Sequence, residues 1–310
     1  MDKTKISGVI FGEAIGDAMG LGSEFLSKER VRQYYPDGLT SYNQFVRDKH
    51  RSRWQIGDWT DDTDQMLCIA NAIIKDKDIV PQTVAEELHK WFANYPIGAG
   101  NLTRQVLSAH QFLDNPVKVS ETIWKLSNCQ SAPNGSIMRT SVIGLWHKDI
   151  EKKAEEVCKL THCDPRCVGS CVIVSVLINR LVHNESMSKN EIVQLGNRYD
   201  SRIKEYVEIA TSPDIANLQL GEFTSIGYTL KCMAAGLWAY FNCNNFVEGL
   251  KAVINEGGDA DTNAAVACSI LGAKFGFENI PEYYINGLTQ KDLLFQIVEQ
   301  LNEIINNLKK

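Results

Sequence analysis

Long apolar runs are scarce in this chain, and none approaches the roughly 20 residues needed to cross a bilayer. The apolar stretch behind Lys3 and Lys5 is interrupted by Glu13 and Asp17, charges that a secretory leader would not carry. Basic charge is also in short supply. Lys and Arg number 32 against 38 Asp and Glu, for a net charge of −6, which argues against nucleic acid as a partner. Nine cysteines, an odd count without paired spacing, exclude a disulfide framework and fit reduced thiols in a cytosol-like compartment. Strand-type alternation, low-complexity linkers and internal repeats are missing too. What remains is a soluble, cytoplasmic, all-α protein with a single domain over residues 1–310, acting as a monomer and making no use of a membrane. Its 44% apolar and 23% charged content is ordinary for a globular enzyme.

Helical periodicity is what the chain has in abundance. Met66, Ile69, Ala70 and Ile73 fit the i, i+3, i+4, i+7 template. The apolar stretch around Cys171 to Leu177 reads as a helix if Pro165 lies in its first turn, and Leu294 to Leu308 closes the chain with an amphipathic helix. Gly8, Gly12, Gly16 and Gly20 recur every four residues, and Ala264, Cys268, Gly272 and Gly276 form a similar small-residue row. Glycine costs up to about 1 kcal/mol per helical position relative to alanine, so a row in register points to two helices in close backbone contact. The alternative is an N-terminus broken into loops by its glycines.

Two acidic clusters stand far apart in the sequence: Trp59-Thr60-Asp61-Asp62-Thr63-Asp64 and Gly257-Gly258-Asp259-Ala260-Asp261-Thr262. Taken singly, each reads as a helix cap with acids complementing the helix dipole. A cap needs one or two acids, however, and both clusters carry the same Asp-Thr chemistry. Brought together, Asp61, Asp62, Asp259 and Asp261 would repel or take up protons. Two divalent cations would balance them instead, and hard oxygen ligands suit Mg²⁺, Ca²⁺ or Mn²⁺ rather than zinc. Asp64, two residues past Asp62, faces elsewhere on a helix and reads as dipole or outer support.

Other candidates are less specific. Glu24 reads by spacing alone as an exposed loop acid, and residues 47–53 read as a polar surface loop. Cys163, Cys167 and Cys171 span about 12 Å along a helix axis, too far to share one ion, so they read as core thiols; His162 lies outside that row. The Gly-containing turns at 98–103 and at 132–139, each leading into a helix, offer backbone amides to a pyrophosphate.

Assembled in order, these pieces resemble the ADP-ribosylglycohydrolase family. Gly12 to Gly20 resembles its opening G-x-x-x-G-D-x-x-G helix, with Asp17 as the aspartate, and the two acidic clusters resemble its metal motifs. Asn134-Gly135-x-x-Met138-Arg139 and Thr161-His162-x-Asp164-Pro165 fall at its ligand loop and the next helix. The resemblance implies a compact orthogonal helical bundle with two Mg²⁺ ions, Mn²⁺ being a substitute, held by Thr60, Asp61, Asp62, Asp259, Asp261 and Thr262. It implies that Gly98, Gly100, Asn134, Gly135, Ser136, Met138 and His162 line an ADP-ribose cleft, and that Glu24 or Asp62 is the catalytic carboxylate. The implied reaction releases ADP-ribose from a modified protein side chain or small-molecule acceptor. One departure stands out: residues 94–98 carry no acid, where some members have an aspartate proposed as the base. A catalytically silent ADP-ribose binder and a crystallin-like structural relative are the alternatives within the family. A dimetal phosphohydrolase, which would yield AMP, is the alternative outside it.

Overall fold

A computed structural model of the chain describes residues 1–307. Fifteen α-helices joined by short 3-10 turns build it, and among the described residues the only β pairing is an isolated antiparallel bridge between Pro133 and Tyr228. The all-α expectation holds.

At the centre lie the opening helix, Lys3–Gly20, and the helix Ala260–Phe275. Asp2 caps the first by accepting the Thr4 N–H at 3.0 Å, and every residue from Ile6 to Gly20 is buried. Helices this apolar on all sides belong inside a large core. They meet along the glycine row: a methyl added at Gly8, Gly12, Gly16 or Gly20 would fall on the carbonyl oxygen of Gly272, Cys268, Ala264 or Ala260. The opening residues are therefore helix and not a glycine-broken loop. Gly276 drops out of the expected row, because it ends the second helix with a φ of +87°.

Around this pair pack Asp61–Asp76, Pro165–Val182, Thr229–Asn242, Phe246–Ile254 and the closing helix Lys291–Asn307. Pro165 does sit in the first turn of its helix, behind the cap Asp164. That helix corrects one expectation. Its mean hydropathy of 1.5 over 18 residues would match a membrane span by composition, but 78% of it is buried inside the molecule, so its apolar surface is core surface. All nine cysteines are free, with Cys167 and Cys171 buried as expected and Cys163 only half-buried, outside the core.

One loop reading also changes. Residues 137–145 form 3-10 turns, Ile137–Arg139 and Ser141–Leu145, so no α-helix N-terminus stands behind the 132–136 turn. Residues 47–53 do lie at the surface, with Arg47, Lys49, Ser52 and Arg53 exposed, but Arg51 is only 2% exposed and donates to the carbonyls of Gly22 (2.8 Å) and Glu24 (2.5 Å).

Candidate active site

The site starts with Asp17. From the opening helix its carboxylate accepts the backbone N–H groups of Thr60 and Thr63 at 3.0 Å and the Thr63 hydroxyl at 2.6 Å. It thus satisfies amides that the N-terminus of Asp61–Asp76 leaves open, and sets where that helix begins. Thr60 is its N-cap, accepting the Asp62 N–H at 3.5 Å. On the far side of the cleft, Gly257 and Gly258 adopt φ of +73° and +70°, which side chains rarely tolerate, and deliver Asp259 and Asp261 to the start of Ala260–Phe275. The turn holding Glu24 is laced to this one: Phe25 N–H donates to the Gly258 carbonyl at 2.6 Å, and Gly258 N–H to that of Leu26 at 2.8 Å.

Both acidic clusters therefore meet at the base of one cleft of about 320 Å³. Oxygens of Asp17, Asp62 and Asp261 lie within 4.8 Å of one another, and so do oxygens of Glu24, Asp259 and Asp261. Asp261 belongs to both groups. Asp17 and Glu24 thus stand beside Asp62, Asp259 and Asp261 in these groups, while Asp61 stands aside from both. It accepts from Gln65 Nε2 at 3.0 Å and faces Gly98, where an added Cβ would approach Asp61 Oδ1 to 2.5 Å. Thr262 Oγ1 donates to Asp62 Oδ1 at 3.3 Å, Thr262 N–H to Asp261 Oδ1 at 2.8 Å, and Asn134 Nδ2 to Asp259 Oδ2 at 2.6 Å. Asp62 Oδ2 is buried with no hydrogen-bond partner.

The electrostatics follow from this crowding. Burial first, and neighbouring carboxylates second, push Asp61, Asp62 and Asp261 well above the usual carboxylate range. Burial raises Asp259 to about 6, with the nearby Glu24 charge adding to it and the Asn134 hydrogen bond opposing. Burial also raises Asp17 to about 6 against its threonine hydrogen bonds. Acids this desolvated need either protons or cations. The donor set is all oxygen, with one orphaned carboxylate oxygen, and fits a hard divalent ion.

The opposite wall is made of Gly98, Gly100, Thr103, Asn134, Gly135, Met138 and His162. Behind it runs a buried relay: Arg139 donates through Nη1 to Gln65 Oε1 (2.7 Å) and through Nη2 to Thr161 Oγ1 (2.6 Å), which lies 2.7 Å from His162 Nδ1. Arginine only donates, so the Thr161 hydroxyl oxygen accepts from Arg139 and also meets His162 Nδ1. Burial and the Arg139 charge hold His162 well below its usual pKa, hence neutral, and Nε2 is the ring nitrogen without a protein partner.

Of the expected site residues, Glu24, Asp61, Asp62, Asp259, Asp261, Thr262, Gly98, Gly100, Asn134, Gly135, Met138 and His162 line this cleft. Thr60 is beneath it as a cap. Ser136 does not line it: its fully buried side chain is turned to the core, accepting from Cys158 Sγ (3.5 Å) and Cys171 Sγ (3.4 Å). Asp64 is occupied by the indole N–H groups of Trp59 (2.9 Å) and Trp91 (3.0 Å), which pin Pro81–Ala93 to its neighbour. The roles of Arg139, Gln65 and residues 50–53 went unread in the sequence. Arg139 had a signal, its place in the Asn134–Arg139 motif; residues 50–53 had none.

Comparison with known proteins agrees with this geometry. The family model for ADP-ribosylglycohydrolase matches residues 2–309. An uncharacterized protein of Archaeoglobus fulgidus is 31% identical over 97% of this chain and 96% of its own. The ADP-ribosylarginine hydrolase Tri1 of Serratia proteamaculans is 26% identical over 97% of this chain and 79% of its own. The ADP-ribosyl-[dinitrogen reductase] glycohydrolase of Rhodospirillum rubrum is 24% identical over 92% and 90%. A solved ADP-ribosylglycohydrolase-related protein complex shares the fold, with a TM-score of 0.78 at 23% identity over 97% of this chain and 98% of that one. The chain belongs to the ADP-ribosylglycohydrolase family, hydrolases that act on glycosyl bonds.

Proposed function

We propose that this enzyme cleaves the bond between the distal ribose of ADP-ribose and a modified protein side chain, with two Mg²⁺ ions at the base of the cleft and Mn²⁺ as an alternative. The observation that carries this reading is the buried carboxylate cluster shared through Asp261, with Asp62 Oδ2 left unpartnered. Asp62, Asp259, Asp261 and Thr262 would hold the ions, with Thr60 positioning the first helix and Asp61 facing the cleft beside Gly98. Ions held there would orient ribose hydroxyls and would lower the pKa of an attacking water.

The chain's own groups supply the rest. His162 turns its unpartnered Nε2 to the cleft, and Asn134 and Gly135 form the wall at which a pyrophosphate would lie. Met138 contributes apolar surface beside them. Cleavage at an anomeric carbon passes through an oxocarbenium-like transition state, which the surrounding carboxylates favour electrostatically. Glu24 would take the proton of the attacking water, since residues 94–98 supply no acid for that task; Asp62, already engaged by Thr262, is the lesser candidate. Arginine is the first acceptor to try, because two of the similar proteins carry the name ADP-ribosylarginine hydrolase.

The test is product analysis on arginine- and serine-ADP-ribosylated peptides, with Mg²⁺ and then with chelator. Intact ADP-ribose released only with Mg²⁺ is the expected result. AMP among the products, or ADP-ribose bound tightly without turnover, would overturn it.

A further inference from the structure

We infer that His50 is a positioning residue for Glu24: its imidazole, held with Nε2–H toward the acid, occupies one carboxylate oxygen and leaves the other for the cleft. The inference rests on the catalytic role proposed for Glu24. Two hydrogen bonds carry it. His50 Nε2 lies 2.5 Å from Glu24 Oε2, and Arg53 Nη2 lies 2.5 Å from His50 Nδ1. A guanidinium has donors and no acceptor, so Nδ1 must offer its lone pair. The ring proton is therefore on Nε2, pointing at Glu24.

The surroundings hold the ring in that orientation. It packs between Phe25 and Trp54, with centroids 5.1 and 5.4 Å away, and the Arg53 guanidinium lies over the Trp54 ring at 4.4 Å. Asp48 accepts the His50 backbone N–H at 3.0 Å. The next residue completes the clamp, since Arg51 Nη2 donates to the Glu24 carbonyl at 2.5 Å. Consecutive residues thus grip the backbone and the carboxylate of Glu24. A glutamate otherwise free to sample several rotamers is held ready before substrate arrives, which is how outer partners sharpen a site. Arg51 fixes where the turn sits; His50 fixes which way the acid points.

Three variants of the full chain test this. His50→Ala is expected to lower kcat about 10- to 100-fold, the range for losing an outer partner of a site ligand, with KM little changed. His50→Gln, whose amide N–H reaches the Nε2 position, should recover most of that loss, and Arg53→Ala should give an intermediate kcat. A glutamine variant as impaired as the alanine one, or an effect confined to KM, would overturn the role. A readout independent of turnover is the ¹⁵N spectrum of histidine-labelled protein, with His50 assigned by its disappearance in His50→Gln. The expected signature is a protonated Nε2 and an unprotonated Nδ1 at neutral pH; a protonated Nδ1 would overturn the geometry. If the unmodified chain releases no ADP-ribose, the proposed function fails while the nitrogen spectrum still decides the His50 arrangement.

Discussion

Glu13 is a buried carboxylate for which the cleft has no use. On the opening helix it accepts the Ser141 hydroxyl through Oε2, and Oε1 has no partner. Burial pushes its pKa well above the ordinary 4.5, with the Asp17 charge adding to the effect. The sign of the consequence is fixed. Below the unfolded value both states hold the proton and the group is neutral in stability. As pH rises the unfolded chain ionises first, so the folded state loses ground until its own pKa is passed. Each unit of difference is worth about 1.4 kcal/mol. Glu13→Gln keeps the hydrogen bond and removes the ionisation. Denaturation midpoints should therefore match the unmodified chain near pH 3 and exceed it at pH 8; parallel curves would contradict the account. At this scale the Asp-Thr clusters were legible because carboxylates exceeded what caps require. His50 and Arg51 were not, since their partners are a side chain and carbonyls of residues 22–24 that no local pattern connects to them.

Among the elements, the contact between Lys3–Gly20 and Ala260–Phe275 decides whether the site exists, because one helix carries Asp17 and the other Asp261. A methyl at Gly16 would meet the Ala264 carbonyl carbon at 2.5 Å, and both helices are buried, so neither can yield outward. Overpacking of this kind typically costs about 1–3 kcal/mol. Gly16→Ala should lose stability in that range by chemical denaturation and lower activity with it. Gly100→Ala, whose added methyl meets nothing within 4 Å, should unfold at the unmodified midpoint. Equal midpoints for the two variants would refute the seam. The four-residue glycine period made this contact readable in advance. The 3-10 turns of 137–145 were unreadable for the opposite reason: Pro133, Gly135 and Gly144 break the segment into apolar pieces too short to show a period. Gly144 is required there because a side chain would strike Ile178 Cγ2 at 2.6 Å.

Over the whole molecule, the fold brings the N-termini of two buried helices to one cleft and places acids on both. The positive ends of the helices favour those charges, yet burial still leaves the acids short of compensation, and Asp62 Oδ2 has nothing to bind. Cations or protons would compensate such a cluster. Diffraction from crystals soaked with Mn²⁺, with the anomalous signal located, tests this most directly. The account predicts two peaks about 3.5–4 Å apart, the spacing of two-metal sites, one bounded by Asp17, Asp62 and Asp261 and the other by Glu24, Asp259 and Asp261, with both lost in Asp261→Ala. Ions found only on the surface, or a cleft without a peak, would contradict it.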